Sequence, residues 1–464
     1  MIPKKFSLVG ISFLIFSVTL FLTIFIWKII PQYLFISLQK GFFVACDIFL
    51  IIFGAIFFIE ILQKEKILES IGFYLERFSK DIRIQVIFLA WFLENLIEGI
   101  AGFGTPSAIV APLLIGLGIS PINAVVISLF GNSSAGAFGA AGTPIRVGLA
   151  GIDVSNVSYY TALFNFPAIF VPTFILFALS HGKKDKAVFI KEALPFALWS
   201  GFVFWIFSFA GSFLGGEFPT IVGSLLGLLV AVITLKLNIF VPKNIYRHEN
   251  RELPKAYHSF ITAVFPYLLV VALLVGGKFL SSGFNPGFAL IISGLIVFLI
   301  THKRIDHTIP QSLKLAFART FEPFIVIFAM SATVQLILNS GNNYSGNPSI
   351  LKLVSGIFEN NALPFLAPFA GAFGSFVSGS VTISNILFGN FLASASTVIK
   401  MDTAKILGLQ VAGAAAGNMI ALADILTAQA VAGIKSKEIE ILKRIILPCL
   451  VYVTLVGLVG LMFV

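Results

Sequence analysis

The chain has 464 residues, of which 58% are hydrophobic and only 11% charged, and its formal net charge is +10. Soluble domains carry about 25% charged residues, so a water-soluble fold is excluded. Apolar stretches of roughly 20 residues, the length that crosses a bilayer, recur throughout and leave no polar segment long enough for a separate soluble domain.

In chain order, Lys4 and Lys5 precede an apolar run from Phe6 to Trp27. That run is longer than the apolar core of a secretory leader, which predicts a retained first membrane helix running outward. A second helix, from about Phe43 to Leu62, returns to a basic loop at Lys64 to Arg83. Further basic loops lie at Lys183 to Lys191, Lys236 to Lys255, Lys303 to Arg319 and Lys435 to Arg444. Positive charge confined to short loops marks the cytoplasmic side and argues against nucleic acid as a partner. Gly211 to Thr220, Ser281 to Gly287 and Asn339 to Asn361 are nearly free of Lys and Arg and are predicted to face outward. Helices over about Ala193 to Ala210, Thr220 to Leu237, Phe260 to Gly277 and Phe288 to Thr301 then make four plain crossings.

A helix from about Phe321 to Leu338 starts from a basic loop, so it points opposite to the helix Phe43 to Leu62. At an offset of 277 residues the first of these falls on the second, Gly102 on Gly379, Thr105 on Thr382, Ala135 on Ala412 and Gly136 on Gly413. Repeats of opposite orientation are a common construction of secondary transporters. The expected organisation is an N-terminal repeat with a preceding helix (1–182), central membrane helices (183–302), and an inverted C-terminal repeat with a final helix (303–464).

Each half contains two Gly-rich, polar interruptions: Glu98 to Pro106 and Gly131 to Pro144 in the first, Ser378 to Asn385 and Gly413 to Asn418 in the second. Non-helical backbone at membrane depth is tolerated only where protein buries it or where it lines a cavity. Broken helices there aim free N–H groups at an anion, which suits a carboxylate. The alternative is that the small residues only allow close helix packing. The candidate binding residues are Gly102, Gly104, Thr105, Ser133, Thr382, Ser384, Asn385, Gly413 and Asn418.

Ionisable groups inside spans are costly and commonly functional. Glu94 and Glu98, four residues apart, share a helix face; Glu98 and Asp424 each adjoin a break and are the candidate proton carriers. For Glu94 a structural role is the expectation. Asp47 and Glu322 are placed near span ends, and Arg146 either holds a carboxylate or snorkels. Cys46 and Cys449 lie singly in apolar runs, and His181, His248, His258, His302 and His307 sit in or beside basic loops without ligand spacing, so no metal or cofactor is expected.

The run Glu98-Gly99-Ile100-Ala101-Gly102-Phe103-Gly104-Thr105-Pro106, followed by Gly116-Leu117-Gly118, resembles the lactate permease family of bacterial carriers. The run Gly379 to Gly389 is similar to that family's corresponding segment, with Val381 where an acidic or amide residue is expected. The resemblance implies symport of L-lactate, glycolate or a related 2-hydroxy monocarboxylate with protons across the cytoplasmic (inner) membrane. The expected fold is an all-α polytopic membrane protein of about 12 to 14 membrane segments, in two inverted repeats with re-entrant hairpins and broken helices. Its expected partners are a small monocarboxylate anion, protons and the lipid bilayer, with oligomerisation open. Rival readings are a Na⁺-coupled organic-anion carrier, a channel, and an intramembrane enzyme, the last disfavoured because neither His-Glu-x-x-His nor Gly-x-Ser-x-Gly occurs.

Overall fold

The structure is a computed structural model that describes residues 8–100, 102, 105–183, 185–247, 256–280, 284–301, 308–434 and 436–464. Lys4, Lys5, Lys435, His248, His302 and His307 therefore lie outside the described residues, as does Gly104.

Helix α1 (Leu8–Phe21) passes through a π-helical turn into a short bend, and α2 (Pro31–Lys64) follows with Pro31 at its first turn, where a missing N–H costs nothing. The short α3 (Ile67–Arg77) has one apolar and one polar face. Next, α4 (Ile82–Ile87), a π-helical stretch Phe88–Leu93 and α5 (Glu94–Ile100) follow without a gap, and α6 (Thr105–Gly116) comes after the break at Gly102. α7 (Pro121–Gly131) bends by 48° into a 3₁₀ turn and α8 (Gly139–Arg146). α9 (Val157–Phe164) and α10 (Val171–Leu179) make one span, and α11 (Lys186–Ser212), α12 (Pro219–Lys236), α13 (Phe260–Leu280) and α14 (Pro286–Thr301) are the four plain central helices. The second half is α15 (Thr308–Asn339), α16 (Ile350–Ser355), α17 (Leu363–Ser378), α18 (Val381–Val398), α19 (Thr403–Asn418), α20 (Leu422–Val431) and α21 (Glu438–Phe463).

Eight helices among the described residues are long and apolar enough to cross a membrane, nine if the bent pair is one span, and four shorter apolar helices accompany them. That set falls within the expected 12 to 14 segments. Among the described residues there is no strand, only a bridge between Ile29 and Asn343 that joins the turns following α1 and α15.

The inversion is visible in α2 and α15, which begin 277 residues apart, at Pro31 and Thr308. Asn339 donates to Ser37, Arg319 pairs with Glu60 at 2.7 Å, and Lys64 donates to Gln311. As one chain advances its partner recedes, so equivalent helices run antiparallel. Between these ends Gly41 meets Ala332 so closely that a Cβ on Gly41 would lie 2.7 Å from the Ala332 backbone. Close approach through small residues is the usual glue between membrane helices, where lipid is as apolar as Leu. Both helices start about ten residues before the apolar runs, because their first turns are polar yet helical. Asp47 and Glu322 consequently sit mid-helix and not near span ends as expected.

The hairpins repeat with the same chemistry. Ser107 donates to Glu94 at 3.1 Å and Ser384 donates to the Gly371 carbonyl at 2.7 Å, each across 13 residues. Along a straight helix 13 residues span about 20 Å, so in both halves the chain must fold back, at Gly102 and at Gly379. Both tip glycines are left-handed, with φ of +55° and +71°, a conformation that any Cβ strains.

After the hairpins the fixed offset no longer holds. α6 has 12 residues and α18 has 18, so the matching break follows Gly131 in the first half and Asn418 in the second. Gly136 lies after its break, whereas Gly413 lies inside continuous α19, where a Cβ would overlap the Pro368 backbone. Gly413 is thus a helix-packing glycine, and the expected equivalence of Ala135 with Ala412 and of Gly136 with Gly413 does not hold.

Candidate functional site

All four interruptions reach one small cavity. It is lined by Glu98 and Gly102 at the first hairpin, Gly136, Gly139, Ala140 and Pro144 on the first broken helix, Gly379 to Thr382 at the second hairpin, and Asn418 at the second broken helix. Its space for water is about 20 Å³, enough for one molecule.

The backbone around it is held open by main-chain conformation and by side chains outside it. Ala140, Ala141 and Gly142 form a left-handed turn, with φ of +43°, +52° and +77°. Two alanines in that region are strained, and such strain concentrates at functional sites. The carbonyl of Ser134 accepts from Asn165, which in turn accepts from Tyr452, and Thr220 donates to the carbonyl of Ala135. The N-terminus of α18 faces the cavity, with Ser380 capping the amide of Ile383, so the positive end of that helix is aimed at whatever occupies the space.

Three buried carboxylates stand nearby. Glu98 is 4% exposed and lines the cavity, Asp424 is 5% exposed and lies close enough to Asn418 to feel its amide, and Glu94 is fully buried. Glu98 lies within electrostatic range of both others. Among the described residues no ion pair joins any of the three to a base, and Glu98 Oε2 and Asp424 Oδ2 have no hydrogen-bond partner. Gly139 makes room for Glu98, since a Cβ there would overlap Oε1.

The sequence candidates divide. Glu98, Gly102, Thr382 and Asn418 line the cavity, and Asp424 adjoins it through Asn418. Ser133 turns back onto the Phe130 carbonyl, Ser384 onto Gly371, and Gly413 packs on Pro368. Thr105 opens α6, with its side chain outside the described set. Asn385 is a latch between the halves: it donates to the Pro144 carbonyl at 2.9 Å and accepts from Gln410 at 3.4 Å. Asn385→Ala is expected to cost about 1 kcal/mol for that buried bond, read as a lowered melting temperature in detergent. Gly139 and Ala140 were not singled out by the sequence reading; their only signal was the small-residue run Gly136 to Gly142. Arg146, at the end of α8, donates to the Phe284 carbonyl and does not line the cavity.

Comparison with known proteins agrees with this architecture. The L-lactate permease family model matches residues 1–278 and 278–464. A putative L-lactate permease of Haemophilus influenzae is 27% identical, over 87% of this chain and 84% of its own length. The glycolate permease GlcA of Escherichia coli is 27% identical over 83% and 78%, and the L-lactate permease of the same species is 26% identical over 91% and 86%. The crystal structure of the Alcanivorax borkumensis YdaH transporter, described as having an unusual topology, shares the fold: TM-score 0.53 at 12% identity, covering 97% of this chain and 98% of that one. The chain is therefore a multi-pass transporter of the cytoplasmic membrane and not an enzyme, and it belongs to the L-lactate permease family.

Proposed function

We propose that the chain carries L-lactate, glycolate or a related 2-hydroxy monocarboxylate together with protons. The observation that carries this reading is the convergence of four chain breaks on a polar cavity lined by one buried carboxylate, Glu98, with a second, Asp424, within its electrostatic range. The relatives named for lactate and glycolate support the substrate class. Helix ends and hairpin-tip amides offer N–H groups to a carboxylate, while Thr382 and Asn418 are placed to meet carboxylate or hydroxyl oxygens; Gly102 shapes the tip that lets the substrate approach. An anion entering a space that already faces carboxylates needs compensating positive charge. A proton on Glu98 or Asp424 supplies it, which ties anion movement to proton movement.

With room for about one water, the cavity is closed to a three-carbon acid, so loading requires the halves or hairpins to move, as alternating access demands. The test is uptake of labelled L-lactate into proteoliposomes under an inward proton gradient without Na⁺. Accumulation that collapses with an uncoupler and is competed by glycolate is the expected result. Accumulation that requires Na⁺ and ignores the uncoupler would replace protons by Na⁺, and a failure to take up either acid would reject the substrate class.

A further inference from the structure

Glu94 is fully buried one helical turn before Glu98, yet it does not line the cavity. Its Oε1 accepts from Ser107 on the returning arm of the hairpin, and its Oε2 has no partner. Gly131, the last residue before the first helix break, is shaped to that free oxygen: a Cβ there would lie 2.6 Å from Glu94 Oε2 and would overlap the Ala90 carbonyl. Gly139 does the same for Glu98 Oε1 beyond the break. Two carboxylates on one helix face are thus each seated in a glycine niche of the same broken helix, on either side of its interruption.

The surroundings favour proton traffic over mere structure. The residues next to each partner, Asn95 and Asn132, are buried with both amide atoms unpartnered, and such groups are ordinarily satisfied by ordered water. A π-helical stretch, Phe88–Leu93, ends directly before Glu94; π-bulges are frequent at functional sites because they re-aim the residues after them. The twin of Glu94 at the repeat offset is Gly371, where the matching serine meets only a backbone carbonyl. The carboxylate is therefore an addition to the hairpin and not a requirement of its fold.

We infer that Glu94 is a second proton-binding site, exchanging its proton with Glu98 and handing it toward the basic, cytoplasmic end of the hairpin. The O–H bond at Glu98 breaks as one forms at Glu94 Oε2, which leaves Glu98 ionised and the substrate site discharged. Glu94 lies one helical turn, about 6 Å, from Glu98 toward the cytoplasmic base, so its proton is held outside the cavity that takes the anion. The inference rests on the proton-coupled reading above.

Its test is Glu94→Gln, which keeps the size of the side chain and a carbonyl for Ser107. Two readouts are compared with wild type: proton-driven accumulation of L-lactate, and lactate-for-lactate exchange, which needs no net proton movement. The expected result is accumulation reduced at least about tenfold, with exchange and its KM within about twofold. Accumulation at the wild-type level overturns the inference, and so does equal loss of exchange by a variant whose melting temperature is unchanged, since Glu94 would then serve substrate binding. If Glu94→Gln melts early, Glu94→Asp decides: retained accumulation supports a proton site, and loss of exchange with it overturns one. Absence of proton-driven accumulation in the wild type would instead reject the reading on which the inference stands.

Discussion

Glu98→Gln should abolish uphill transport. The variant keeps the shape of the side chain, so the niche at Gly139 and the tip at Gly102 stay filled, but it can no longer take up and release a proton. Positioned proton carriers contribute roughly 100- to 10,000-fold to the steps they serve, and proton-driven accumulation is expected to fall at least about 100-fold. Because Glu98 lines the cavity, the KM for lactate exchange should shift as well, which separates it from Glu94, where only accumulation is expected to fall. A Glu98→Gln carrier that still concentrates lactate against its gradient would transfer the proton role to Asp424. Asp424 has the weaker geometric claim: it reaches the cavity only through Asn418.

The hairpin tips were legible because Gly next to Ser, Thr and Asn has no purpose in a plain membrane helix, and the opposed directions of α2 and α15 were legible from loop charge. Where the reading failed, one residue type served two ends. The Gly and Ala of α19 allow tight packing on Pro368 and Ala372 without any break, and composition alone does not tell such a stripe from an unwound segment. The left-handed turn at Ala140 and Ala141 was invisible for the opposite reason, since Ala is the best helix former and only the surrounding fold overrides it. The start of α15 was set too late because Arg319 was assigned to a basic loop; long basic side chains can stay in a helix by reaching polar surroundings, and Arg319 does so by pairing with Glu60. The meeting of Glu98 with Asp424, 326 residues later by the numbering, required the topology itself.

Arg83 shows what loop charge conceals, and its removal is expected to have the largest effect on stability. It closes a basic segment in the sequence, yet it is fully buried at the base of the first hairpin. Its guanidinium makes a two-pronged contact with Asp81, at 3.0 and 2.7 Å, and donates to the carbonyls of Phe189 at 2.9 Å and Asn244 at 2.6 Å. It also lies against the rings of Tyr246, 4.6 Å away, and Phe189, 5.1 Å away. Asp81 in turn caps α4 through the Arg83 amide. The base of the hairpin that carries Glu94 and Glu98 is thereby fastened to α11 and to the segment after α12. The twin position in the second half is Asn360, an exposed turn residue that caps only the amide of Ala362. Breaking a buried pair by removing one partner strands the other charge and costs about 3 to 5 kcal/mol, so Arg83→Met should lower the melting temperature sharply. Lys cannot reproduce the planar fork, and Arg83→Lys should restore only part. The double variant Arg83→Met with Asp81→Asn should be more stable than Arg83→Met alone, because the buried Asp81 carboxylate is no longer stranded, while Glu192, the second carboxylate that Arg83 meets at 3.5 Å, is part-exposed and keeps its bond from Asn244. Equal stability of the single and double variants would mean that the clamp is held by packing on Phe189 and Tyr246 and not by charge.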